Sequence, residues 1–119
     1  TCYHAPELSA QATEKLMMMP DRPTVIMYPD DYSYIGGMTQ LDKMGFRIPE
    51  DICVAGYDGI PLASVLRPAL TTYKQDTCTM GRRAIRKLIE AIDNKKTYIT
   101  EEILIKGELQ EGSSVTRQD

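Results

Sequence analysis

The 119 residues include one histidine and three cysteines. His4 falls in the N-terminal tail, where a lone imidazole is expected simply to be solvated, so histidine-based catalysis has no foundation here. Cys2, Cys53 and Cys78 are odd in number, far apart and in no CxxC spacing. That excludes a disulfide scaffold and a metal-spaced thiol set, and suits free thiols in a reducing cytosol. A basic excess is also lacking: the net charge of −3 provides no general field to draw nucleic acid or an anionic membrane. No apolar run approaches the ~20 residues needed to span a bilayer. The opening "TCYHAPELSA" has neither a basic n-region nor an apolar h-region, so no signal peptide is expected. There is no GxGxxG, Walker loop or nucleophile elbow. The expectation is therefore a protein that is not an enzyme and needs no cofactor or metal. The first residue is not Met, which reads as a piece of a longer protein.

What is present has the size and make-up of one small soluble domain, with 42% hydrophobic and 26% charged residues. "PELSAQATEKLMMM" spaces Leu8, Ala12 and Leu16 by four, which predicts an amphipathic helix closed by Pro20. "PTVIMYP" predicts a buried strand between prolines. In "DDYSYIGGMTQLDKMGF", Asp30 or Asp31 caps a helix whose apolar face is Ile35, Met38 and Leu41, and Gly45 ends it. Gly36 and Gly37 weaken that helix by ~1 kcal/mol each relative to Ala, which makes sense only if the helix lies close to the sheet or to a partner. "DICVAGYD" and "ALTTYKQ" predict two more strands, with a brief helix or turn, "PLASVLRP", between them. "DTCTMGRRAIRKLIEAIDNKK" is the clearest helix, with Met80, Ala84, Leu88 and Ile92 on one face flanked by Ile85 and Ile89. "YITEEILIKGELQEGSSV" predicts one or two closing strands. Helices alternating with apolar strands imply an α/β fold with a parallel sheet, flanking helices and right-handed crossovers.

In open parallel sheets ligands bind beyond the carboxyl ends of the strands. Three successive strands here end in polar residues: Asp30 and Asp31, then Asp58 and Gly59, then Lys74, Gln75 and Asp76. Each singly is as well read as a turn or cap residue; the set is read as a ring of donors and acceptors. The adjacent Asp30 and Asp31 suit either a metal or acid–base pair or, more simply, an N-cap with its neighbour. Arg82, Arg83, Arg86 and Lys87 read as the solvated face of their helix.

Taken together, "RPTVIMYPDDYSYIGGMTQLDKMGFRIPEDICVAGYDGIPLA", "RPALTTYKQD" and "MGRRAIRKL" resemble the lac repressor/galactose repressor family of bacterial transcription regulators, over most of the chain from about Glu7 to Val115. The resemblance implies part of a two-lobed effector-binding domain of the type I periplasmic-binding-protein-like kind. Residues 1–74 would form most of the C-terminal lobe. Residues 75–105 would be a helix and strand of the other lobe, and 106–119 a return strand and tail. It implies ligand-binding roles for Asp58, which would grip hydroxyl or ring N–H groups, and for Asp30, Gln75 and Thr77. It further implies a small-molecule effector, expected to be a carbohydrate, and a cytoplasmic homodimer. Operator DNA would be reached only through a helix-turn-helix that these residues do not contain. Ile35, Met38, Leu62, Val65 and Leu66 are the expected dimer contacts; the plainer alternative is that they cover the chain's own sheet. The rival function is a secreted solute-binding protein for sugar transport. Tyr34 stands where the family usually has a small residue. The apolar stripe of the last helix is expected to be covered, either by folding back onto the Thr1–Lys74 sheet or by another chain.

Overall fold

The structure is a computed structural model and describes residues 3–116. Cys2 lies outside the described residues. The chain runs through helix α1 (Pro6–Met17), strand β1 (Val25–Met27), helix α2 (Asp31–Lys43) and strand β2 (Cys53–Asp58). A short 3-10 helix (Pro61–Ser64), strand β3 (Thr71–Lys74), helix α3 (Thr77–Asp93) and strand β4 (Glu108–Gln110) follow. The sheet order is β1-β2-β3-β4. β1 pairs in parallel with β2, Ile26 opposite Val54, and β2 in parallel with β3, Gly56 opposite Thr72. The α/β reading and the parallel crossovers therefore hold. The chain divides into two compact units, Thr1–Lys74 with Leu109–Asp119, and Gln75–Glu108.

In the first unit, the core joins one face of the sheet to α2. Ile26, Val54 and Leu70 from the strands cluster with Tyr34 and Leu41 of α2, with Met17, Tyr28, Ile52 and Ala63 completing the set. Alternate strand residues point to opposite faces. Val25 and Met27 accordingly stay 53% and 69% exposed beside the buried Ile26. β1 is thus buried on one face, not on both as its apolar run suggested. The C-terminal return closes this unit through one small side chain. Buried Ser114 donates its hydroxyl to the Val54 carbonyl and accepts from the Thr71 N–H, at 2.7 and 2.8 Å, joining β2 to the start of β3.

α1 buries a different face from the one its leucines mark. Leu8 and Leu16 are exposed, whereas Ser9, Thr13 and Met17, also spaced by four, are buried. Close approach between α1 and α2 explains the choice. A Cβ at Gly36 would lie 1.9 Å from the Pro6 carbonyl oxygen, so small residues line the crossing. The Thr13 hydroxyl bonds both the Ser9 carbonyl and the Tyr28 hydroxyl, at 2.8 Å each. The bulky Tyr34 is fully buried with its ring 5.7 Å from that of Tyr28. Its hydroxyl has no hydrogen-bond partner among the described residues, and burial pushes its pKa up to about 12.

The second unit departs from expectation twice. "EEILIK" forms no strand; residues 101–107 are irregular and the strand comes at Glu108–Gln110. A strand needs a ladder partner, which apolar composition alone cannot supply. α3 has the predicted span but buries none of its residues; Met80, Leu88, Ile89 and Ile92 are 42–61% exposed. Among the described residues the chain does not fold back to cover this stripe. Helical spacing decides which side chains share a stripe, whereas burial requires a matching surface. Within this unit Lys87 pairs with Glu90 and Glu101, which removes it from the free basic patch.

Candidate functional site

Three carboxylates lie near the carboxyl ends of β1 and β2, and the structure gives each a distinct task. Asp30 is the N-cap of α2. Its Oδ1 accepts the Ser33 N–H at 2.8 Å, and its Oδ2 accepts the Ser33 hydroxyl at 2.7 Å and the His4 N–H at 2.9 Å. The residue has no exposed surface. Burial opposes its ionisation, but the bonds from His4 and Ser33 outweigh it and hold the carboxyl below its ordinary pKa. The sequence left the cap between Asp30 and Asp31; the extended backbone at Asp30 decides it.

Asp31 braces the loop after β2. Its Oδ2 accepts the Ile60 N–H at 2.9 Å, and its Oδ1 accepts the Thr72 hydroxyl at 2.7 Å. Thr72 Oγ1 in turn accepts the Gly59 N–H at 3.3 Å. One buried carboxylate therefore fixes both residues that follow Asp58. That fixation matters because Asp58 has φ 110, a strained value for a residue with a side chain. Gly59 follows at φ 69, where a Cβ would meet the Lys74 Cα at 2.5 Å. The Asp-Gly pair ends β2 abruptly because the chain must leave the sheet in a left-handed conformation tight against β3. Asp58 itself is half-buried and stands opposite Lys74 in register. Next to it, the rings of Tyr57 and Tyr73 stack at 5.6 Å.

The sequence offered no sign that the N-terminal residues reach this edge. The exposed Tyr3 lies in the field of Asp58 and Asp30: its pKa is raised chiefly by the charge of Asp58, then by desolvation, Asp30 and Tyr57. His4 packs edge-on against Tyr3 at 4.4 Å and against Tyr32 at 6.0 Å, and its Nδ1 is 3.6 Å from Asp30 Oδ1. The structure thus brings Asp30, Asp58, Tyr3 and His4 to one edge of the first unit; His4 is exposed, as the solvated-tail reading expects, but its main chain is tied to Asp30. The only sequence signal was position, since these residues immediately precede the helix that crosses α2. Gln75 and Thr77 belong to the second unit, where Asp76 caps α3 by accepting the Thr79 N–H at 2.9 Å. Among the described residues, no group of three or more His, Cys, Asp or Glu side chains is placed to hold a metal ion. No helix among them is long and apolar enough to cross a membrane. Cys53 is buried and Cys78 exposed, both as free thiols.

The expected association surface divides into two parts. Met38 and Leu66 pack partly against the chain's own core. Leu62 and Val65 are 40% and 61% exposed, and Ile35 is half-buried.

Comparison with known proteins matches residues 2–115 to the periplasmic binding protein-like domain. The HTH-type transcriptional repressor PurR of Vibrio vulnificus (strain CMCP6) is 39% identical over 90 residues, which is 76% of this chain and 27% of that protein. The chain thus spans about a quarter of the length of the curated relatives it matches. Among solved structures, the putative transcriptional regulator LacI from Bacillus cereus subsp. cytotoxis NVH 391-98 aligns with a TM-score of 0.90 and 26% identity. That alignment covers 95% of this chain and 40% of the other. A LacI family transcriptional regulator from Arthrobacter sp. FB24, in complex with lactose, aligns at TM-score 0.78 and 29% identity over 92% of this chain and 41% of its own.

Proposed function

Because this chain belongs to the periplasmic binding protein-like domain family, as part of a lac repressor/galactose repressor type effector-binding domain, we propose that it senses a small hydroxyl-rich molecule, a sugar, for a cytoplasmic transcription regulator. The observation that carries this reading is the edge formed by the half-buried Asp58 and the exposed Tyr3 ring, with the fully buried Asp30 behind it. Carboxylates accept hydroxyl protons, and an aromatic face stacks on the C–H face of a sugar ring. The braced, left-handed turn at Asp58 supports it further, since a strained residue held rigidly by a buried network is a mark of ligand sites. Ligand roles for Gln75 and Thr77, which belong to the second unit, rest on the family resemblance alone. The effector would act by favouring one arrangement of a two-lobed domain over another, a shift bounded by its differential affinity for the two. DNA contact would come from residues outside this chain.

The test is calorimetric titration of the protein, as expressed from its gene, with lactose, cellobiose and D-ribose. Asp58→Ala should weaken binding of the effective sugar about 10- to 100-fold, the equivalent of one lost charged hydrogen bond of roughly 1.5–3 kcal/mol. Unchanged affinity in Asp58→Ala would remove Asp58 from the site.

The same reading includes a symmetric dimer through α2 and the 3-10 segment, with the exposed Leu62 and Val65 at its centre. Light scattering should give twice the protomer mass at micromolar concentration, and Val65→Asp should return it to the protomer mass. A wild-type protomer mass at high micromolar concentration would rule the dimer out.

A further inference from the structure

We propose that Lys87 clamps the segment after α3 to that helix, and so sets the working length of the chain that runs on to β4. The Lys87 ammonium holds two carboxylates from different places. Glu90 lies one turn further along α3, at 2.7 Å, and Glu101 lies in the irregular segment beyond the helix. Those bonds, Glu101 first, raise the Lys87 pKa above its ordinary value, so the ammonium stays charged. An exposed ion pair contributes little to global stability. Its local effect is larger where no other contact holds the same stretch of chain.

The chain leaves α3 through a turn in which the Thr97 and Tyr98 N–H groups bond the Asn94 carbonyl, at 2.9 and 2.8 Å. From Ile99 to Lys106, Glu101 is the one residue with a hydrogen bond or ion pair among the described residues. Packing does not replace it, since Ile99 and Leu104 are 83% and 91% exposed. The three charged residues, with Asn94, Thr97 and Tyr98, line a cavity of about 330 Å³. The segment therefore stands off the helix and meets it through one carboxylate. It is also one of the two stretches by which the chain passes between its units, the other being Lys74–Gln75. With the clamp closed, the last point tied to α3 is Glu101; with it open, that point is Tyr98. Opening thus adds residues 99–101 to the connection, about 10 Å of extended chain. In a sensor that works by a shift between two lobes, that length limits the shift. This consequence rests on the sensing reading above; the clamp itself does not.

Limited proteolysis of the protein as expressed from its gene reads the clamp directly. Thermolysin cuts before large apolar residues and meets Ile99, Ile103, Leu104 and Ile105 in this segment. Cleavage of a locally opened stretch follows the population of the open form. Lys87→Met leaves the cut sequence untouched and should speed cleavage within 99–106 about three- to fivefold, the range of one exposed ion pair, and Glu101→Gln should do the same. Glu90→Gln should leave the rate within about 1.5-fold of wild type, because Glu90 belongs to α3 and the bond from Lys87 to Glu101 remains. Lys87→Glu combined with Glu101→Lys rebuilds the triad with the ammonium on the segment, and should restore the wild-type rate. Wild-type cleavage in Lys87→Met would overturn the clamp. So would a charge-swapped variant cut as fast as the single variants, or Glu90→Gln cut as fast as Lys87→Met. A sugar titration without binding heat would sink the sensing reading and leave these cleavage rates as they are, so the two are tested apart.

Discussion

Asp31→Ala is expected to lower the unfolding free energy by about 3 kcal/mol, on the scale of hydrogen bonds to a buried charged group. The substitution leaves the Thr72 hydroxyl and the Ile60 N–H without their acceptor in a place where Asp31 is 1% exposed. Urea unfolding measures the loss. Asp31→Asn should cost roughly half as much, because an amide can still accept from Ile60 N–H while donating to Thr72 Oγ1. The deficit should reach function as well. The turn that holds Asp58 at φ 110 is tied down through Ile60 and, by way of Thr72, through Gly59. Its release should weaken binding of the proposed effector, through the loop that Asp31 braces. A change below 1 kcal/mol in Asp31→Ala would show that the loop is held by other means.

Gly36→Ala should destabilise the protein by about 3 kcal/mol, against the sign that helix propensity gives. Propensity alone favours alanine by up to ~1 kcal/mol in a helix interior. Here the new Cβ would meet Pro6 backbone atoms at 1.9, 2.5 and 2.7 Å, and no side-chain rotation relieves a clash with backbone. α1 would have to move away from α2, opening the contact lined by Ser9 and Thr13. His4 lies two residues before the start of α1, so its hold on Asp30 should loosen too. Gly81→Ala on α3 is the control. Nothing lies within 4 Å of its added Cβ, so it should stabilise by a few tenths to about 1 kcal/mol. If Gly36→Ala also stabilises, the two helices do not pack as closely as described.

The alternation of helices and strands was readable because it depends on local spacing and on caps. Asp30 or Asp31 before an apolar periodic run, and Gly45 after it, mark α2 from the sequence; the structure has Asp30 as the cap and Gly45 at φ 80. The polar residues beyond the strands were readable for the same reason, since they follow apolar runs. What each acid does was not. Asp30 and Asp31 are adjacent and chemically identical, yet one caps a helix and the other braces a loop 29 residues later in the chain. α1 shows the limit most clearly. The apolar positions Leu8 and Leu16 marked one face, and the fold buried Ser9 and Thr13 instead. Hydrophobic spacing predicts burial when the contact is with a broad apolar surface. It misleads when two helices meet closely, because there size outranks polarity, and a hydroxyl that finds a partner, as that of Thr13 finds Tyr28, is buried at little cost.

By itself, then, the sequence determined the order of elements, the parallel α/β class, the glycines at tight places and the family pattern around "GYDG", because all of these follow from residue type and short-range spacing. The tertiary structure alone decided that His4 and Tyr3 reach the edge where Asp30 and Asp58 lie, that α3 keeps its apolar stripe exposed, and that "EEILIK" forms no strand. Those outcomes depend on which surfaces meet, and contact between distant segments is a property of the packed chain that no local spacing encodes.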